Sequence, residues 1–147
     1  MLPIEEIKAL IPHRPPFLWV DRIISCTETT IETEKDIPSD HEIFKGHYPG
    51  NPITPGVLLC EAIFQSGALL MAQQTTSTMK NCVPVLTRIT NAKFKRGVFP
   101  GDRTQIKVTL LEVIANVSFL KGILKVNGKN AVQVEFACSM TSAHPSL

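Results

Sequence analysis

The chain has 147 residues, of which 44% are hydrophobic, and 15 lysines and arginines against 13 acidic residues give it a formal net charge of +2. A chain of this length forms one domain, residues 1–147, with a core that needs no disulfide or structural metal. The mild charge excludes a dedicated nucleic-acid binder, and the mean hydropathy of +0.10 excludes a disordered chain. The slightly apolar composition also favours an oligomer.

The cysteines and the N-terminus indicate a cytoplasmic protein. The four cysteines are far apart and include no CxxC pair, which is typical of reduced cysteines and gives no support to a zinc site. The N-terminus lacks the basic segment and long apolar run of a signal peptide. The longest apolar stretch, residues 57–72, is interrupted by polar residues and is too short to span a bilayer. We therefore expect no membrane insertion.

The first third of the chain is predicted to hold short elements. Pro3, followed by apolar residues at helical spacing, predicts a short amphipathic helix that ends at Pro12. In residues 17–37, β-branched residues come to alternate with charged ones, which indicates a strand or hairpin half exposed to water. Ser39 is predicted to cap one helical turn.

A rigid loop and one long helix follow. Residues 46–56 contain three prolines and three glycines, so the prolines fix the path of this loop. The helix predicted from Val57 to Gln74 is apolar on almost every side. A helix of this kind must be buried on every side.

After the helix the hydrophobic pattern changes to a period of two, which predicts strands. They are expected at residues 83–94, 104–115, 117–126 and 131–141. The pair Asn127-Gly128 is a strong hairpin signal between the last two. The simplest way to bury the helix is an α+β fold in which a curved antiparallel sheet wraps around it.

Glu61 is the most informative anomaly in the sequence. A carboxylate inside an apolar helix costs several kcal/mol unless it is paired, hydrogen-bonded or protonated. Gln65 follows one turn later on the same helix face. Two interpretations remain open: a structural carboxylate that bonds loop amides, and a general acid or base tuned by burial.

His47 lies in the rigid loop, where a histidine is either a solvated residue or a catalytic base. The loop ends at Gly56, where the free N–H groups of a helix start can hold a developing oxyanion. Together with the carboxylate on the helix, these groups suit acid–base chemistry next to a carbonyl group. The other histidines, His13, His41 and His144, are interpreted as structural or solvent-exposed.

Residues 46–62 resemble the signature of the FabZ-type 3-hydroxyacyl-acyl carrier protein dehydratases of bacterial fatty acid synthesis in their histidine, their proline and glycine spacing and their Glu-Ala step. Similar segments at residues 12–17, 20–22, 93–96 and 100–102 extend the resemblance through nearly the whole chain. The resemblance implies the hot-dog fold, a long central helix wrapped by an antiparallel sheet. It also implies homodimers with two sites at the interface, commonly assembled into hexamers as trimers of dimers.

The resemblance implies a role for each candidate residue. His47 would remove the α-proton of the thioester, and Glu61 of the partner subunit would help protonate the departing 3-hydroxyl group. The backbone N–H of Gly56 would hold the thioester oxygen as enolate character develops. No metal or organic cofactor is implied.

An apolar tunnel beside the central helix would hold the acyl chain. Its expected lining is Ile63, Phe64, Val98 and Phe99. Acyl carrier protein is acidic, and a local basic group either meets it at the tunnel mouth or forms a solvated strand face. This basic group comprises Lys93, Lys95, Arg96 and Arg103.

The chain departs from the family pattern at Tyr48, Phe64 and Gly97, where the family usually carries Phe, Ala and Pro. Because Phe64 would shorten or redirect the tunnel, a specialised dehydratase of an accessory acyl or polyketide pathway is one alternative. A hot-dog thioesterase and a non-catalytic acyl-binding subunit are others, and the presence of both His47 and Glu61 argues against them. A glutamate at this position, where dehydratase-isomerases use aspartate, favours the plain dehydratase.

Overall fold

The computed structural model describes residues 1–74 and 81–143. These described residues form two α-helices and one short 3-10 helix, Glu42–Lys45. The α-helices are α1 (Ile4–Leu10) and α2 (Gly56–Gln73). The strands are β1 (Arg22–Cys26), β2 (Thr30–Asp36), β3 (Cys82–Phe94), β4 (Arg103–Ile114), β5 (Val117–Val126) and β6 (Lys129–Ser142). All strands pair antiparallel in one sheet with the order β1-β2-β4-β5-β6-β3.

Helix α2 lies in the hollow of this sheet. It packs against β2, β4, β5 and β6, and residues 59–71 are almost all buried. By length and composition the helix is long enough to cross a membrane, so the argument that the apolar stretch is too short was wrong. The helix is nevertheless 67% buried by its own domain, which makes it the core helix of the α+β fold that the sequence predicted.

Two glycines let the helix and the sheet approach closely. A Cβ atom at Gly122 on β5 would lie 2.0 Å from the Cγ2 atom of Ile63, and one at Gly67 would lie 2.8 Å from the ring of Phe136. Contacts this short do not occur between real side chains and a Cβ atom. The sheet therefore wraps tightly around α2 because these two positions have no side chain.

The predicted elements agree with the observed ones within a few residues, apart from one cap. The helix that ends before Pro12 is α1, and the Asn127-Gly128 turn joins β5 to β6 with both residues at positive φ. The cap of the 3-10 helix is His41 and not Ser39, because the His41 Nδ1 atom accepts a hydrogen bond of 3.2 Å from the Ile43 N–H. The His41 ring also contacts Trp19 at a centroid distance of 5.2 Å.

Strand β3 carries much of the apolar surface that its own protomer leaves uncovered. Ile89 is 50% exposed and Phe94 is 56% exposed, and Val57 at the start of α2 is 73% exposed. Strand β3 lies at one edge of the sheet, with no strand on its outer side among the described residues. A long, exposed and apolar edge strand is a surface on which another strand can pair.

Candidate active site

Glu61 lies on α2 with its side chain 22% exposed. Its Oε1 atom accepts a hydrogen bond of 2.9 Å from the Nε2 atom of Gln65, one turn later on the helix. This contact confirms that the two side chains share a helix face. Within the described part of the chain, the Oε2 atom of Glu61 has no hydrogen-bond partner.

Gln65 ties Glu61 to the segment that follows α1. Its Nε2 atom also donates to the carbonyl oxygen of Phe17 at 2.8 Å, and its Oε1 atom accepts from the backbone N–H of Trp19 at 2.7 Å. The structural interpretation of Glu61 required its carboxylate to bond loop amides. The backbone amide of Trp19 is instead bonded by Gln65. Gln65 therefore holds the Glu61 carboxylate through Oε1 and makes no bond to Oε2.

A small cavity of about 100 Å³ borders the Glu61 side chain. It is lined by His13, Glu61, Phe64, Gln65, Ala68, Pro84, Leu86 and Cys138. The ring of Phe64 packs against Phe136 with their centroids 4.9 Å apart. Burial, and secondarily the negative charge of Glu61, raises the pKa of the Cys138 thiol to about 11, so this thiol stays protonated.

The other residues expected along the tunnel lie elsewhere. Ile63 is fully buried against Gly122 of the sheet, and Phe99 is 49% exposed. Val98 lines a second cavity, which also borders Gly56. Of the four, only Phe64 lines the cavity beside Glu61.

His13, interpreted from the sequence as structural or solvent-exposed, lies beside Glu61, and this contact was not predicted. Its Nε2 atom lies 3.7 Å from the Oε1 atom of Glu61, and its Nδ1 atom is buried with no hydrogen-bond partner among the described residues. Burial lowers the pKa of His13, although the neighbouring Glu61 charge acts to raise it. The local sequence carries no sign of this contact, because the two residues are 48 positions apart in the chain.

The backbone of the rigid loop aims the imidazole of His47. Its Nδ1 atom lies 2.7 Å from the carbonyl oxygen of Ile53. A carbonyl oxygen only accepts, so Nδ1 carries the proton and the lone pair is on Nε2. The ring of Tyr48 meets the imidazole edge to face at 4.8 Å. The neutral form of His47 therefore presents a basic nitrogen on the side away from the loop.

Gly56 begins α2 and leaves its backbone N–H free. The Leu58 and Leu59 amides donate to the Pro55 carbonyl oxygen, whereas the Gly56 and Val57 amides have no acceptor among the described residues. Pro55 supplies no side-chain cap. Uncapped amides at a helix N-terminus form a ready site for negative charge.

Phe94 of β3 lies directly on the start of the helix. A Cβ atom on Gly56 would lie 2.7 Å from the Cε1 atom of the Phe94 ring, so only glycine fits beneath this ring in its present position. A cavity of about 390 Å³ borders the same place. It is lined by Ile53, Thr54, Gly56, Leu59, Phe94, Lys95, Arg96, Gly97 and Val98.

The predicted basic group is divided in the structure. Lys95 and Arg96 line the cavity at Gly56, and Lys93 is exposed on β3. Arg103 instead donates to the Asp36 carboxylate at 2.6 Å. Two of the four basic residues therefore flank the helix start.

The candidate groups thus lie apart within the single chain. Gly56 lines one of them, Glu61 and Phe64 line the other, and His47 belongs to the lining of neither. His144 lies outside the described residues. Within residues 1–74 and 81–143, no group of three or more His, Cys, Asp or Glu side chains is placed to hold a metal ion.

Comparison with known proteins identifies the family. A model of the FabA-like domain matches residues 11–135. The chain belongs to the FabA-like family. Three curated relatives carry the name 3-hydroxyacyl-[acyl-carrier-protein] dehydratase FabZ. The Petrotoga mobilis protein is 39% identical over 90% of this chain and 93% of its own length. The Clostridium acetobutylicum protein is 40% identical, with coverages of 91% and 94%, and the Ligilactobacillus salivarius protein is 40% identical, with coverages of 92% and 96%.

Solved structures agree on the fold. The dehydratase heterocomplex ApeI:P from Xenorhabdus doucetiae matches with a TM-score of 0.78 and 13% identity, covering 97% of this chain and 93% of that one. A thioesterase from Pseudomonas aeruginosa matches with a TM-score of 0.72 and 12% identity, covering 97% and 96%. At such low identity these matches show the hot-dog fold alone. The family match and the curated relatives confirm that this FabA-like family member is a FabZ-type dehydratase, a hydro-lyase of the fatty acid biosynthesis type.

Proposed function

We propose that this FabZ-type enzyme converts (3R)-3-hydroxyacyl-acyl carrier protein to the trans-2-enoyl thioester in the cytoplasm, with His47 and Glu61 as base and acid. The observation that carries the proposal is the hydrogen bond from His47 Nδ1 to the Ile53 carbonyl oxygen, which leaves Nε2 as the basic nitrogen. The names of the relatives, which are 39–40% identical over most of the chain, supply the substrate class.

The first half of the reaction removes the α-proton. His47 Nε2 takes this proton, and negative charge moves onto the thioester oxygen. The free N–H of Gly56 and the positive end of the α2 dipole are suited to hold that charge. One well-aimed donor of this kind contributes about 3 kcal/mol to lowering the barrier.

The second half expels water. The electron pair of the Cα–H bond becomes the new double bond, the C3–O bond breaks, and the Oε2 atom of Glu61 gives its proton to the departing hydroxyl group. The enzyme then holds one extra proton on His47 and lacks one on Glu61, and exchange with water restores both. The partner-free Oε2 atom is the one available for this step.

The active site is proposed to form between two copies of this chain. His47 and Gly56 would come from one protomer and Glu61 from its partner, with β3 pairing along its apolar edge. The separate cavities of the single protomer support this assembly, and so do the exposed Ile89 and Phe94 on β3. Further association of dimers into a hexamer, a trimer of dimers, completes the proposal.

The two cavities are suited to different parts of the substrate. The acyl chain is proposed to enter beside Glu61, where Phe64 packed on Phe136 limits its length. Such a limit on length would favour short acyl chains. The packing of Phe64 on Phe136 is thus the observation in support of an accessory pathway. Lys95 and Arg96 beside Gly56 are proposed to meet the acidic carrier protein.

The decisive experiment measures enoyl formation and thiol release separately, for acyl-carrier substrates of several lengths. We expect enoyl product without thiol from the wild type, and a loss of about a hundredfold or more in kcat for His47→Ala and Glu61→Gln. Thiol without enoyl product would identify a thioesterase. Full activity in both variants would contradict the acid–base assignment.

A mixed dimer of the two variants tests the shared site. One of its two sites combines an intact His47 with an intact Glu61, so part of the activity should return on mixing. No recovery, with subunit exchange verified by differently tagged chains, would contradict a site built between protomers.

A further inference from the structure

His13 and Gln65 both contact the same oxygen atom of Glu61. The Gln65 amide donates to Oε1 at 2.9 Å, and His13 Nε2 lies 3.7 Å from it. We propose that His13 is a positioning residue for Glu61, holding Oε1 together with Gln65 so that Oε2 faces the reacting hydroxyl group. The kinetic part of this inference rests on the proposed dehydration, whereas the contact itself does not.

The surroundings of His13 select one tautomer. Its Nδ1 atom is buried and has no hydrogen-bond partner among the described residues. A proton on Nδ1 would leave a buried N–H group unpaired, which proteins avoid more strictly than an unpaired acceptor. A proton on Nε2 instead points toward the Glu61 carboxylate. The neutral ring with Nε2–H is therefore the form that fits this place.

The charges around His13 favour that neutral form near pH 7. Burial lowers its pKa most, Glu61 on α2 acts in the opposite direction, and the adjacent Arg14 lowers it further. On β6, Cys138 stays a neutral thiol because burial raises its pKa to about 11. The two β3 residues that line the cavity, Pro84 and Leu86, are not titratable. Among the described residues that line this cavity, Glu61 is thus the one group that can place a negative charge next to His13, when its carboxyl group is ionised.

The segment that carries His13 is itself anchored. The guanidinium of Arg14 donates to the carbonyl oxygens of Lys8, Ile11 and His13 at 2.7–2.8 Å. Gln65 ties the same segment to α2 through the Phe17 carbonyl oxygen. The backbone that carries the His13 ring is therefore fixed by the Arg14 bonds and, a few residues later, by the Gln65 bond to Phe17. At 3.7 Å the contact is longer than a hydrogen bond, and such contacts commonly tighten when substrate binds.

A pair of variants separates positioning from mere packing. His13→Gln keeps an N–H donor on a side chain of similar reach, whereas His13→Leu fills the space without a donor. For His13→Leu we expect kcat to fall roughly tenfold to a hundredfold with little change in KM, as for a misplaced catalytic group. For His13→Gln we expect most of kcat to remain. Equal activity of the two variants would overturn the proposal.

Nuclear magnetic resonance tests the contact without any turnover. Long-range ¹H–¹⁵N spectra of the wild type should show His13 as the Nε2–H tautomer. The pKa of His13 should fall further in Glu61→Gln, since the carboxylate that raises it is gone. An Nδ1–H tautomer, or a His13 pKa that is the same in Glu61→Gln as in the wild type, would overturn the positioning role. An inactive wild type with the expected spectra would instead count against the proposed function alone.

Discussion

The two ends of the proposed site are held by different means. Glu61 lies on a regular helix and is aimed by side chains, since Gln65 donates to it and His13 borders it. His47 lies in an irregular loop and is aimed by backbone, since the Ile53 carbonyl oxygen accepts from its ring. A helix places a side chain without fixing its outer torsions, so its carboxylate needs neighbours. A side chain in a proline-rich loop needs fewer neighbouring side chains to orient it, because the backbone of the loop is itself fixed.

The largest effect is expected at the end held by side chains. Gln65→Leu removes the amide that bonds Glu61 and deprives the buried Trp19 N–H and the part-buried Phe17 carbonyl oxygen of their partner. An unpaired buried group costs about 1–3 kcal/mol and a part-buried one costs less, so the free energy of unfolding should fall by about 1–4 kcal/mol. We also expect kcat to fall at least tenfold, because Oε1 loses its donor.

The matched control is Gln73→Leu, an exposed glutamine on the same helix. Chemical denaturation followed by circular dichroism should place this variant within about 0.5 kcal/mol of the wild type. If the two glutamine variants were equally stable, the hydrogen bonds of Gln65 would not be what holds the Glu61 end of the site in place.

The sequence predicted the scaffold more fully than it predicted the site. The all-round apolar pattern of α2 and the period-two pattern of β3 to β6 are local and strong, so their bounds were close. The choice between Ser39 and His41 as a cap depends on backbone geometry that composition does not specify. The contact between His13 and Glu61 depends on how α2 packs against a distant segment, which periodicity does not encode.

A smaller effect is expected where backbone holds the site. In Gly56→Ala the new methyl group would lie 2.7 Å from the Phe94 ring, which must move. Because this ring is 56% exposed on the single chain, we expect it to swing aside, with a loss below about 1 kcal/mol in the free energy of unfolding of that chain. The ring also lines the cavity at the Gly56 N–H, so kcat/KM should fall by about tenfold.

A double-mutant cycle with Phe94→Ala identifies the cause of that loss. If ring displacement causes it, Gly56→Ala should cost much less in the Phe94→Ala background, which gives a clear interaction energy. Strictly additive losses would show that the methyl group acts on the backbone N–H and not through the ring.

The smallest effect is expected at Tyr48, which distinguishes ring packing from hydroxyl chemistry at the loop end. Its φ of +54° and its edge-to-face contact with His47 at 4.8 Å both persist in Tyr48→Phe. The hydroxyl group makes no hydrogen bond within the described residues, and Tyr48 is 65% exposed. We therefore expect kcat/KM to stay within about twofold, because an exposed polar group with no partner contributes little. A larger loss in steady-state kinetics would mean that the hydroxyl group contacts the substrate or a second copy of the chain, and backbone alone would then not hold the His47 end.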